Sequence, residues 1–226
     1  VTRPERVTLR GRYVTVQPLD PEKHGEALWE GTGGMEHSAL WDYMADGPFA
    51  DREPFDTALR AKAVSEDPLF FAITDAGSRR ALGIASLLRI EPKHGVVEVG
   101  SIVYSPALQR SRQATEAMYL LARYVFEDLG YRRYEWKCNA LNEPSRRAAL
   151  RLGFTFEGIF RQHMIVKGRN RDTAWFSMLD VEWPARKAAF ERWLAPENFS
   201  ASGEQLTRLG AAPGGSPAAG RSPGPT

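Results

Sequence analysis

The 226-residue chain is 42% hydrophobic, and its 30 Lys and Arg against 28 Asp and Glu leave a formal charge of +2. That length suits one domain plus a tail better than two full cores, and so small and dispersed a charge argues against a nucleic-acid partner. The N-terminal residues are charged and no apolar run is long enough to cross a bilayer, so a soluble cytoplasmic protein with no membrane partner is expected. A lone Cys138 excludes an internal disulfide framework. His24, His37, His94 and His163 stand in no recognised ligand spacing, so no metal is expected. Monomer and homodimer both remain open.

In chain order, residues 7–9 and 13–16 alternate apolar and β-branched side chains around Gly11, which predicts strand structure ended by Pro18 and Pro21. Residues 21–29 read as helix. In 51–64, Phe55, Leu59 and Ala63 recur one helical turn apart, and Pro68 follows the stretch. Three strand-like runs, 69–74, 81–90 and 96–104, are separated by turn compositions at 75–78 and 92–95 and predict an antiparallel meander. Residues 112–129 form the clearest helix: Ala114, Ala117, Met118, Leu121, Val125 and Leu129 share a face, and Gly130 is placed to close it. A strand at 131–138, a short helix opened by Asn142-Glu143-Pro144 and ended at Gly153, and a hairpin of 154–166 with 173–181 around a turn at 167–172 complete the folded part. The pattern is a mixed sheet flanked by helices, in one domain of residues 1–199. Residues 200–226, rich in Gly, Pro, Ser and Ala, read as a disordered tail.

The strand-to-helix transition at 104–115 has the character of an anion site, because unpaired amides and the positive dipole end meet there beside Arg110 and Arg112. An exposed loop with two solvated arginines fits the same residues. The order of elements over 7–181, the string Gln109-x-x-Arg112-x-Ala114, Asn142-Glu143-Pro144-Ser145 and Leu152-Gly153-Phe154 resemble the GCN5-related N-acetyltransferase superfamily, and within it the Rim-type N-terminal acetyltransferases of ribosomal proteins. Arg171-Asp172-Thr173 adds to the likeness. The family's pyrophosphate loop has the form Gln/Arg-x-x-Gly-x-Gly/Ala; Gln109 and Ala114 match it, and Arg112 stands where the family has its first Gly.

The resemblance implies an acyl-CoA N-acyltransferase fold of the α/β (α+β) class: a mixed, mostly antiparallel sheet, splayed at the cofactor cleft and flanked by helices. It implies acetyl-CoA as cosubstrate, and direct transfer in a ternary complex to a primary amine, either a small amine-bearing molecule or a protein N-terminus. It places the main chain of Ile102 and Val103 along the pantetheine arm. Gln109, Arg110, Ser111, Arg112, Gln113, Ala114 and Thr115 are placed around the diphosphate, with Asn139, Asn142 and Ser145 also on the cofactor. Many members protonate the sulfur with a tyrosine whose position here is Ala149, whereas Ser145 occupies the place from which the Rim-type group presents a hydroxyl. Ser145 is therefore expected to contact the sulfur, while a first-turn serine satisfying helix amides remains the plain alternative.

Glu98, in the apolar run Val96-Val97-Glu98-Val99, is a candidate base if the strand desolvates it, and an ordinary surface glutamate if it points to water. Trp41, Tyr43 and Met44 are candidates for the acceptor wall or for cover over the core, with Glu36, Asp42 and Asp46 available to attract a cationic amine. A noncatalytic coenzyme A-binding module that kept the fold is the competing reading, on the strength of Arg112 and Ala149.

Overall fold

The computed structural model describes residues 1–210. In it β1 (Leu9–Arg10) and β2 (Val14–Pro18) precede α1 (Pro21–Thr32), which Asp20 caps by accepting hydrogen bonds from the amides of Glu22 and Lys23. After α2 (Arg52–Val64), the strands β3 (Leu69–Asp75), β4 (Ala81–Glu91) and β5 (Val96–Tyr104) form the antiparallel meander that the sequence predicts. Then come α3 (Arg112–Arg123), β6 (Arg133–Asn139), α4 (Glu143–Arg151), β7 (Thr155–Val166), β8 (Arg169–Leu179) and α5 (Trp183–Leu194). The eight strands make one sheet in the order β1-β2-β3-β4-β5-β6-β8-β7, antiparallel except where β5 meets β6.

Two boundary shifts bear on the site. The helix expected over 112–129 is α-helical only to Arg123. Residues Tyr124–Asp128 form a π-helical turn, and Gly130, at φ 68°, then turns the chain into β6. The final hairpin turns on Lys167 and Gly168 alone, at φ 50° and 72°, the double left-handed geometry of a two-residue hairpin loop. Arg171 and Asp172 therefore belong to β8 and not to the turn.

Apolar residues cover both faces of the sheet. On one, Val97, Val99, Tyr134, Trp136 and Phe176 pack against α3 and α5; on the other, Phe70, Ala72, Ile84 and Val103 pack against Leu28 of α1 and Phe55 and Leu59 of α2. The buried Glu116 of α3 ties the first hairpin to this core, since its carboxylate accepts from the amides of Arg12 at 2.9 Å, Tyr13 at 2.6 Å and Val14 at 2.8 Å. Gly11 is required beside it: a Cβ there would lie 2.4 Å from Glu116 Oε2, which the three amides hold in place.

Of the expected tail, residues 200–210 fold back on the end of α5. Trp193 Nε1 donates to Gln205 Oε1 at 2.9 Å, and Asn198 Oδ1 accepts from the Thr207 amide at 2.9 Å. Residues 211–226 lie outside the described residues. Among the described residues no helix is long and apolar enough to cross a membrane.

Candidate active site

The parallel pairing of β5 with β6 ends at Val99 opposite Trp136. Beyond it, the main-chain groups of 100–104 that face β6 have no strand partner among the described residues, so the two strands part and leave a cleft. A β-bulge on the other edge of β5 coincides with this point. Between Gly100, opposite Ser86, and Val103, opposite Ile84, β5 carries one residue more than β4, and Ser101 takes φ 50°. The extra residue reverses the alternation: Val97 and Val99 face α3, Val103 joins the α1–α2 side, and Ile102 packs toward α3.

At the cleft's upper end, Ser111 caps α3 by accepting from the Ala114 amide at 3.0 Å while donating to the Leu108 carbonyl at 2.6 Å. Arg110 adopts φ 58°, which bends the loop into the helix. Gln109 donates to the Tyr104 carbonyl, Gln113 reaches Asp75, and Thr115 Oγ1 accepts from Arg151 of α4 at 3.0 Å. Arg112 turns away from the loop, its guanidinium 4.4 Å from the Tyr13 ring and 5.5 Å from that of Phe199. Two aromatic faces thus hold the Arg112 cation away from the place expected of it beside a phosphate. The amides of Arg112 and Gln113 find no acceptor among the described residues, and they are what this helix start offers an anion.

Ser145 stands on the first turn of α4. Asn142 caps that helix through the Ser145 amide at 3.2 Å, and the Asn139 side chain accepts from the Leu141 amide at 3.0 Å, so both asparagines build the turn that positions the serine. Trp136 Nε1 donates to Ser145 Oγ at 3.0 Å. Since Trp136 is the last residue of β6 paired with β5, the hydroxyl is pinned where the strands part. A hydroxyl that accepts from an indole still has its own proton to give, and that proton is made a better donor by the bond received. Cys138 lies beside Ser145; burial pushes its thiol up and the serine partly offsets this, which keeps it protonated. Ala149 is fully buried and offers no hydroxyl.

On the opposite face Glu98 is buried rather than solvent-facing, and it is not alone. Arg89 Nη1 lies 2.6 Å and Lys137 Nζ 3.0 Å from its carboxylate; Lys137 also pairs with Glu135 at 2.6 Å. Arg133 extends the network to Glu135 at 2.6 Å and Glu157 at 2.6 Å, which holds the Glu157 carboxyl down at about 2. Lys137 is only 4% exposed and sits 3.9 Å from the centre of the Trp175 ring. The alternation of Arg133, Glu135 and Lys137 along β6 is the sequence signal for this network, and the sequence reading passes over it.

The 41–44 loop crosses the same side. Tyr43 donates to the Leu141 carbonyl at 3.2 Å, and Lys167 of the last hairpin donates to the Trp41 carbonyl at 2.8 Å, so the loop and the hairpin do face each other. Trp41 itself moves from the expected acceptor wall to the core: it is buried against Phe49 and its Nε1 donates to the Thr32 carbonyl at 2.8 Å. Met44 is half-buried against the same cluster, which leaves Tyr43 as the exposed one of the three. Asp46 pairs with Lys62 and is not free for an amine.

Residues 15–155 match the acetyltransferase (GNAT) domain family. A GCN5-related N-acetyltransferase from Brucella melitensis superposes with a TM-score of 0.90 at 51% identity, over 92% of this chain and 94% of its own. A candidate GNAT-family acetyltransferase from Chromobacterium violaceum ATCC 12472 does so with a TM-score of 0.75 at 42% identity, over 81% and 91%. YdaF of Bacillus subtilis (strain 168), a candidate ribosomal N-acetyltransferase, is 26% identical over 81% of this chain and 96% of its own. The chain belongs to the GNAT acetyltransferase family and is an acyltransferase of the acyl-CoA N-acyltransferase fold.

Proposed function

We propose that the chain transfers an acetyl group from acetyl-CoA directly to a primary amine, with Ser145 at the sulfur and Glu98 on the amine's side. The observation that carries this reading is the Ser145 hydroxyl, fixed by Trp136 at the point where β5 and β6 separate. The residues present suit the cofactor: the β6-facing main-chain groups of 100–104, without a strand partner among the described residues, for an amide-bearing arm, and the amides of Arg112 and Gln113 for a diphosphate. The Arg112 guanidinium lies on the Tyr13 ring and so does not itself fill the loop.

When bound, acetyl-CoA supplies a thioester whose carbonyl carbon is open to attack. Glu98 takes the proton that the amine sheds as the C–N bond forms. Ser145 donates a hydrogen bond to the sulfur as the C–S bond breaks, and the positive end of α4 adds to the stabilisation of that charge. The buried, protonated Cys138 takes no part.

Ser145→Ala is expected to lower kcat by about 100-fold, with the dissociation constant for acetyl-CoA unchanged; coenzyme A thiol release over a panel of amines reads the first and calorimetry the second. Stabilisation by acetyl-CoA with no turnover of any amine would favour the noncatalytic module instead. Arg112→Gly is expected to cost about 1 kcal/mol of stability, from the lost ring contacts, while acetyl-CoA affinity holds. A loss of affinity in that variant would return Arg112 to the phosphate site.

A further inference from the structure

On the face of the sheet that carries Glu98, every cation of the buried network except one holds a carboxylate. Arg89 and Lys137 hold Glu98, Lys137 and Arg133 hold Glu135, and Arg133 holds Glu157. Arg171 lies in the field of Glu98 and Arg89 and forms no ion pair among the described residues. It is half-buried, and burial pulls its guanidinium below the ordinary value. The neighbouring Asp172 is no partner either: its carboxylate accepts from the Gln162 amide at 2.7 Å and from Asn170 Nδ2 at 2.9 Å.

Arg171 is nonetheless held in place. Its Nε donates to Thr173 Oγ1 at 3.1 Å, and the fully buried Thr173 is in turn 2.9 Å from His163 Nδ1. With Nε engaged, the end of the fork formed by the two Nη groups has no acceptor among the described residues, and that end is the one that grips a carboxylate through two parallel bonds. A second uncommitted donor stands further along β8 on the same face: Trp175 Nε1 is buried with no partner among the described residues. A half-buried cation and a buried N–H on one face, both without acceptors among the described residues, are what an anion from outside the chain would meet there. Arg171 is also within electrostatic reach of Glu98 and of Cys138, which adjoins Ser145, so such an anion would lie at the same end of the sheet as the proposed reacting centre.

The geometry points to an acceptor that carries a carboxylate close to its amine, an amino-acid-like small molecule, with Arg171 as the residue that binds the carboxylate. This rests on the acetyl-transfer reading above. It narrows the acceptor from amines in general to amines with an acidic group a few bonds away.

The test compares free amino acids with their carboxamides, which present the same amine without the charge. Wild type is expected to favour the acids by about 100-fold in kcat/KM, and Arg171→Gln to bring the ratio close to one. Arg171→Lys, which keeps the charge but not the fork, should retain part of it. Acetyl-CoA affinity and melting temperature are measured in each variant, so that misfolding is recognised. A direct probe works without turnover: calorimetry with N-acetylglycine and N-acetylglycinamide. Wild type is expected to bind only the acid, and Arg171→Gln neither. Equal binding of the two, or undiminished binding of the acid by Arg171→Gln, overturns the proposal. Acid-selective binding with no turnover of any amine supports the subsite and defeats the acetyl-transfer reading. Faster acetylation of peptides with an acidic first residue than of free amino acids overturns the small-molecule assignment.

Discussion

Lys137→Met is expected to lower the melting temperature by about 10 °C while leaving the fold intact. Lys137 Nζ bridges Glu98 at 3.0 Å and Glu135 at 2.6 Å, two carboxylates placed directly opposite each other on neighbouring parallel strands. Like charges in that register repel, and here both are nearly excluded from water. Removing the bridging cation leaves them to Arg89 and Arg133 alone, of which Arg89 is 42% exposed and the weaker compensation. Breaking a buried ion pair from one side costs about 3–5 kcal/mol, and each kcal/mol shifts the midpoint of a chain this size by about 2–4 °C. Differential scanning calorimetry reads the loss. The cause is isolated by a triple variant, Lys137→Met with Glu98→Gln and Glu135→Gln, which is expected to recover most of the lost stability because it removes the stranded charges as well. A triple variant as unstable as the single one would place the defect in the packing of Lys137 on Trp175.

Period and punctuation carried most of the fold into view. The meander, the helix after it and the closing hairpin all announce themselves by apolar spacing bounded by Gly and Pro, because each is a local pattern whose buried face repeats at a fixed interval. What escaped was non-local or depended on a single residue. The bulge at Ser101 inserts one position into β5 and so exchanges the two faces for everything after it, and nothing in Gly100-Ser101-Ile102 marks that insertion. Arg112 occupies a helix start, which suggests a phosphate ligand; its partners Tyr13 and Phe199 lie far apart in the chain, where no local pattern points to them. The polar neighbours of Trp41 leave the acceptor wall and the core both open to it; the carbonyl of Thr32 satisfies its one polar atom and lets the ring join the core. Placing the hairpin turn at 167–172 instead of Lys167-Gly168 hid Arg171, since a residue in a turn has no fixed face whereas one in β8 does. Ser145 is the residue of the candidate site that the sequence marks, through its place after Asn142-Glu143-Pro144. Trp136, which orients it, belongs to a strand whose alternation shows only that it is buried.

Glu98→Gln separates the proposed proton acceptor from a mere strut of the charge network. Turnover at neutral pH is expected to fall by 10²- to 10⁴-fold, the usual worth of a general base, with acetyl-CoA affinity unchanged. Folding should suffer less than in Lys137→Met, because Lys137 keeps Glu135 at 2.6 Å and the glutamine amide fills the same space. The decisive reading is the pH dependence. An amine attacks only when unprotonated, so a protein group that removes its proton matters most where the acceptor arrives as an ammonium ion. If Glu98 acts in this way, the deficit of the variant narrows as pH rises toward and past the acceptor's own pKa. If Glu98 only positions Lys137 and Arg89, the deficit is the same at every pH at which the protein is folded, and the assignment of the base fails. Using two acceptors of different basicity sharpens the result: the pH at which the deficit closes should follow the amine, a dependence that no structural defect in the sheet would reproduce.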